Sequence, residues 1–171
     1  CFGATWVSVP AVMTSHALHT RAASLYQEGR LSEADRVYRQ ILAHNPGDGQ
    51  ALYRLALLLF EQRRPAEAVD AFDRLLTLAP GLTEAWTDRG GILQGMGRLD
   101  AALASYDRAI ALKPDHAPAW LNRGIALQLL GRFDQALESF DRILTLAPRH
   151  AAAWRGRASA LMGLERIADA I

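Results

Sequence analysis

Two histidines, His16 and His19, stand three residues apart, so any helix that carries them puts both on one face, where imidazoles can share a metal ion. No Asp, Glu or Cys accompanies them at ligand spacing, and the pair reads as ordinary surface histidines. The single cysteine, Cys1, excludes a disulfide framework and a cysteine-based zinc site. The sequence contains no Gly-rich phosphate loop, nucleophile elbow, His-Glu-x-x-His segment or paired catalytic carboxylates. Catalysis is not expected, and the chain asks for no metal and no cofactor. What it offers instead is charge at regular intervals. Arg30, Arg64, Arg98, Arg132 and Arg166 recur every 34 residues. In a stacked fold they form a column, which is either a basic ridge for an acidic partner or, the preferred reading, solvated cations at the ends of helices whose dipoles they complement. Arg89, Arg123 and Arg157 each follow an aspartate (Asp73, Asp107, Asp141) by 16 residues. These can pair across two helices, a structural role worth little where exposed.

The elements that must position these groups are legible from the same period. Four prolines, Pro46, Pro80, Pro114 and Pro148, fall 34 residues apart, and the residue types between them return at fixed offsets. Counting from Ser15, the units run 15–48, 49–82, 83–116 and 117–150, with 151–171 as a partial fifth. Position 4 holds Leu18, Leu52, Trp86, Trp120 and Trp154; position 8 holds Ala22, Ala56, Gly90, Gly124 and Ala158; position 11 is always Leu. That i, i+4, i+7 spacing is one face of a helix. Ala34, Ala68, Ala102, Ala136 and Ala170 at position 20, then Tyr38, Phe72, Tyr106 and Phe140 at position 24, mark a second helix. Small residues facing each other let the two helices pack as a hairpin. Gly29, Gly97 and Gly131 suit a left-handed end to the first helix, with Ser32, Asp100 and Asp134 as caps for the second. Each proline ends the second helix, after which Asp48, Thr83 or Asp115 can cap the next.

Composition sets the outer bounds. The chain has 171 residues, half of them hydrophobic, and a net charge of +1. The basic residues, arginine except for Lys113, are interspersed with acids, which argues against a nucleic-acid groove. Their bias reads as that of a GC-rich, bacterial genome. No run approaches the ~18 apolar residues of a membrane span, and a soluble, cytoplasmic protein is expected. Residues 1–14 are apolar, uncharged and outside the repeat. They read as an irregular leader packed on the first helices through Phe2, Trp6 and Val7, with the remnant of a signal sequence (and so an exported form) or a lipid-modified Cys1 as the alternatives. The start at Cys1 and the end inside a unit read as a piece of a longer protein.

On these residues the chain resembles the tetratricopeptide repeat (TPR) family over 15–171, most closely in the third and fourth units with Trp86, Gly90, Trp120 and Gly124. Two departures stand out: Arg at position 7 in four of five units, and Ile41, Leu75 and Ile143 where alanine is usual, which should alter the spacing or twist. The resemblance implies an all-α, right-handed superhelical solenoid of stacked antiparallel hairpins. It also implies a non-catalytic scaffold that holds a partner peptide or helix in a concave groove lined by the first helices. The groove positions carry Tyr53, Arg54, Leu57 and Phe60, then Thr87, Asp88 and Gln94, then Leu121, Asn122, Ile125 and Gln128, and finally Arg155. Tyr53, Leu57 and Phe60 would form an apolar anchoring patch unless the leader covers them. The Lys and Asn set with which some TPR domains hold chaperone tails is missing. The segment 29–42 is also similar to repeats preceding bacterial relatives of O-linked N-acetylglucosamine transferases, so the substrate-recognition arm of a larger glycosyltransferase is the alternative. Self-association through the incomplete last unit is a third possibility.

Overall fold

The computed structural model describes residues 14–168, with side chains as far as residue 165. The leader, the Arg166 side chain and Ala170 therefore lie outside the described residues. Within them the chain forms nine helices and no strand: α1 Ser15–Gln27, α2 Leu31–His44, α3 Gly49–Glu61, α4 Pro65–Leu78, α5 Thr83–Gly95, α6 Leu99–Leu112, α7 Ala117–Leu129, α8 Phe133–Leu146 and α9 Ala151–Ala168. Each helix packs on the one before and the one after it, and α1 to α8 pair as four antiparallel hairpins. The result is an all-α solenoid.

The turn inside each hairpin uses one residue twice. In the first, Gly29 takes φ +75°, the Gly29 amide donates to the Tyr26 carbonyl and the Arg30 amide to the Leu25 carbonyl. That is the paired bond set of a Schellman end. The carbonyl of Arg30 then accepts the Ala34 amide at 3.0 Å and so opens α2. Arg64, Arg98 and Arg132 do the same. Ser32, Asp100 and Asp134 are thus not caps, contrary to expectation: the arginine is the N-cap, without a side-chain cap bond, and the acids lie in the first helical turn. Three residues separate the helices, and the last of them is already the N-cap, so no separate capping residue follows. Of the caps expected on the first helices, Asp48 holds, accepting the Ala51 amide at 2.9 Å. Thr83 is already helical, with Leu82 before it, and His116 stands where Asp115 was expected.

Two turn positions depart from glycine. Arg63 adopts φ +62° in the second hairpin, a left-handed conformation that costs a non-glycine residue about 1–2 kcal/mol. At the same place after α9 begins, Glu165 does not turn at all, and α9 continues unbroken to Ala168. The start of a second helix expected in 151–171 is therefore absent from the described residues.

Between hairpins the chain turns at the prolines. The residue before each of the four is extended at φ −135° to −141°, where the proline ring forces it out of the helical region. The core runs the length of the stack: Leu18, Leu52, Leu59, Phe72, Leu93, Tyr106, Leu127 and Phe140 are all buried. Burying each such side chain contributes about 1.5–3 kcal/mol. Gly124 admits the ring of Phe140 directly, since a Cβ there would stand 2.6 Å from Cε1.

Candidate functional site

Successive first helices approach one another, α5 touching α7 and α7 touching α9, whereas among the described residues no two second helices make comparable contact. The first helices therefore lie on the inner side of the curve. Their inward residues form the candidate surface.

On α3 the four expected residues behave differently. Tyr53 is half-buried: its hydroxyl donates to Asp88 Oδ2 on α5 at 2.5 Å, and its ring meets Phe72 edge-on at a centroid distance of 5.7 Å. Burial, and then the bond to Asp88, push its phenol pKa well up. Arg54 is exposed and makes no hydrogen bond or ion pair among the described residues, and its charge opposes the upward shifts of Tyr26, Tyr38 and Tyr53 around it. Leu57 is half-buried and Phe60 is 46% exposed.

The three apolar residues do not merge into one patch as expected. Leu57 lines a depression of about 190 Å³ with Ala23, Tyr26 and Tyr38. Tyr53 lines a second, of about 420 Å³, with Leu75, Leu82 and Ala85. Phe60 lines a third, with Ile92, Gly95 and Met96. They separate because Leu57 leans toward α1 and α2, whereas Tyr53 and Phe60 meet α5 near its opposite ends.

Further along, several expected groove residues turn out to serve the fold. Thr87 is corrected to an interior position: it is 7% exposed, and its hydroxyl donates back to the Thr83 carbonyl. Asp88 is taken by Tyr53. Gln94 accepts a hydrogen bond from the Tyr106 hydroxyl at 2.9 Å, and Gln128 donates to the Gly156 carbonyl of α9 at 3.0 Å. Leu121 packs half-buried against the core. Asn122, half-buried, and Arg155, exposed, make no hydrogen bond, and Ile125 is 36% exposed. Leu129, one turn beyond Ile125, is 62% exposed.

The sequence reading missed Tyr26, Leu82 and Glu84 as lining residues. Tyr26 shares its repeat position with Phe60, so the column itself could have found it. His19, half of the histidine pair, is committed elsewhere: its Nε2 lies 3.0 Å from Asp48 Oδ2 of the next hairpin. Among the described residues no three His, Cys, Asp or Glu side chains gather as a metal site, and no helix is long and apolar enough to cross a membrane.

The arginine column is largely neutralised. Arg30 grips Glu33 and Glu28; Arg64 grips Glu67 and reaches Asp35 of the preceding hairpin at 3.0 Å; Arg132 reaches Asp100 at 3.1 Å. Arg64 and Arg132 thus tie neighbouring hairpins, Arg30 pairs within its own, and the Arg98 side chain has no ion pair among the described residues. The second arginine series pairs as expected: Arg89 with Asp73, Arg123 with Asp107 and Arg157 with Asp141, at 2.6–2.7 Å.

A family model described as tetratricopeptide repeat matches residues 19–83, 87–149 and 127–171. No curated protein matches the chain. Solved structures do. One is the MamA protein, 21% identical over 88% of this chain and 82% of its own, with a TM-score of 0.84. Another is YrrB, a TPR protein with an unusual peptide-binding site, 24% identical over 85% of this chain and 75% of its own, with a TM-score of 0.76. A third is a tetratricopeptide repeat protein from Parabacteroides merdae ATCC 43184, 19% identical over 89% of this chain and 60% of its own, with a TM-score of 0.85. At these identities the likeness is one of fold.

Proposed function

The chain belongs to the tetratricopeptide repeat family, and from that premise we propose that it is a non-catalytic scaffold that holds an extended or helical segment of a partner protein along its inner face. One observation carries this reading. While Thr87, Asp88, Gln94 and Gln128 are consumed by the fold, Arg54, Asn122 and Arg155 on the same face have no partner among the described residues, and Phe60 and Ile125 stand exposed beside them. Polar groups left unpaired next to exposed apolar ones are what a partner backbone and its side chains would use. The peptide-binding site of YrrB, on the same fold, supports the reading by analogy. Binding would draw on a surface that the stack holds in place beforehand, so little ordering cost falls on the scaffold.

The test is to select a random dodecamer display library on the protein and locate the winning peptides by amide shift changes. Shifts centred on Arg54, Phe60, Asn122 and Ile125 support the proposal. Shifts confined to Leu78, Leu112 and Leu146, the exposed residues at the ends of the second helices, overturn the inner-face assignment, and the absence of any binding peptide overturns peptide recognition itself.

A further inference from the structure

Resting on the inner-face reading, the geometry points to a narrower ligand class at the first three hairpins: an extended peptide in which two apolar side chains flank an acidic one, the carboxylate held by Arg54. Arg54 is the one residue that lines both of the adjacent depressions. On one side are Ala23, Tyr26, Tyr38 and Leu57, between α1 and α3. On the other are Tyr53, Leu75, Leu82 and Ala85, toward α5. Both floors are mostly apolar, and the ridge between them carries an exposed guanidinium with no partner among the described residues. A guanidinium in that setting is matched by a carboxylate, which it can hold with two parallel hydrogen bonds.

The acids nearby do not fill that role. Asp88 accepts from the Tyr53 hydroxyl and Glu61 from the Tyr26 hydroxyl. Glu84 stands on the rim of the second depression, where it repels a further carboxylate and so restricts the peptide's acid to the Arg54 ridge. The two depressions lie on either side of α3, one toward α1 and the other toward α5, so an extended segment crossing the Arg54 ridge presents one side chain to each. The acid falls between them. The ligand is thus an internal sequence of a partner, not a chain terminus.

The dodecamer library is selected in parallel on the wild-type chain and on Arg54→Glu. Arg54 makes no hydrogen bond among the described residues, so the variant should keep its circular dichroism spectrum and melting temperature. Wild-type selection is expected to enrich an acidic residue between two apolar ones. Those peptides should lose at least about tenfold in affinity for Arg54→Glu, the loss of a charge-assisted bond, and regain it when their acid is replaced by lysine. Arg108→Ala, exposed on the second helix α6 and outside the proposed surface, should leave their affinity unchanged. Enrichment of peptides lacking an acid, or equal binding by Arg54→Glu, overturns the assignment. If peptides bind but map to α7 and α9, this inference fails while the scaffold reading stands; if none binds, both fail.

Discussion

The first two hairpins and the last two solve the same packing problem with different chemistry. In α5 to α9 the junctions repeat one polar arrangement. Trp86, Trp120 and Trp154 each donate an indole N–H to a proline carbonyl, from Pro80, Pro114 and Pro148, at 2.9 Å. The arginine three residues on lies over each ring, 5.7–5.8 Å from its centroid, and pairs with an aspartate of the preceding hairpin. Arg89 and Arg123 also donate to Ser105 and Ser139, buried on the second helix of their own hairpin. One guanidinium thus ties three helices. In the second hairpin the same places hold Leu55 and Ala71, both buried, and Arg39 stands where the aspartate would be. Without the aspartate, a cation at 55 would face another cation, so an apolar residue fills the site. The two ends therefore differ in how they resist separation, by apolar burial at one and by a shared guanidinium at the other. The three depressions of the inner face all adjoin α3, over or beside the apolar junction.

The contrast can be tested by equilibrium unfolding in urea. The largest effect is expected for Phe140→Ala, which empties a fully buried site wedged between Gly124 and Gly156 and should cost about 3–5 kcal/mol. Gly124→Ala should cost about 1–3 kcal/mol by overpacking against that ring, although alanine is the better helix former. Placed in a Phe140→Leu background it should cost far less. Equal cost in both backgrounds would mean that the glycine is not there for the ring. Ala56, at the corresponding place in the second hairpin, already carries the Cβ.

Ser139→Ala should cost about 1 kcal/mol, because the hydroxyl both accepts from Arg123 and donates to the Gln135 carbonyl. Adding Arg123→Leu should return most of that loss by converting the junction to the apolar kind. A double variant less stable than the single would show that the two junction types are not interchangeable. Asp107→Ala alone should change little, since Asp107 is 57% exposed.

At the other end, Asp48 caps α3 and meets His19. Burial works to raise its carboxyl pKa, but the Ala51 amide and His19 outweigh it, and the net shift is downward. A lowered folded pKa contributes stability that is present above the unfolded value of about 3.9 and is lost as pH falls through the folded value. Asp48→Asn, which keeps a capping oxygen, should therefore be less stable than wild type at pH 7, with the gap closing below about pH 4; a gap independent of pH would rule out the charge. A small effect of opposite sign is expected for Arg63→Gly. Relief of the left-handed strain should raise stability by up to about 1 kcal/mol, less the cost of a freer unfolded chain.

The period of 34 was enough to read the family and the hairpin unit, because each rests on contacts between residues close in sequence or one unit apart. Position 8 announced a close helix approach, and the Arg and Asp series announced their own pairing. The caps were misread because the turn is shorter than the pattern implied. A periodicity shows which residues share a face but not how many residues the turn needs.

The sequence by itself determined the all-α hairpin repeat, since 3.6-residue periodicity, small residues at facing positions and recurrent turn signals all agree on one structure. Only the tertiary structure decided which inner residues remain available. Tyr53 finds Asp88 35 residues away and Gln128 finds Gly156 28 residues away. Thr87 folds back on its own helix. Arg54, from the same kind of position, finds no partner among the described residues. The reason is physical: a polar side chain in a stack takes whichever partner the neighbouring repeat brings within about 3 Å, and that distance is set by helix packing, which no single repeat contains.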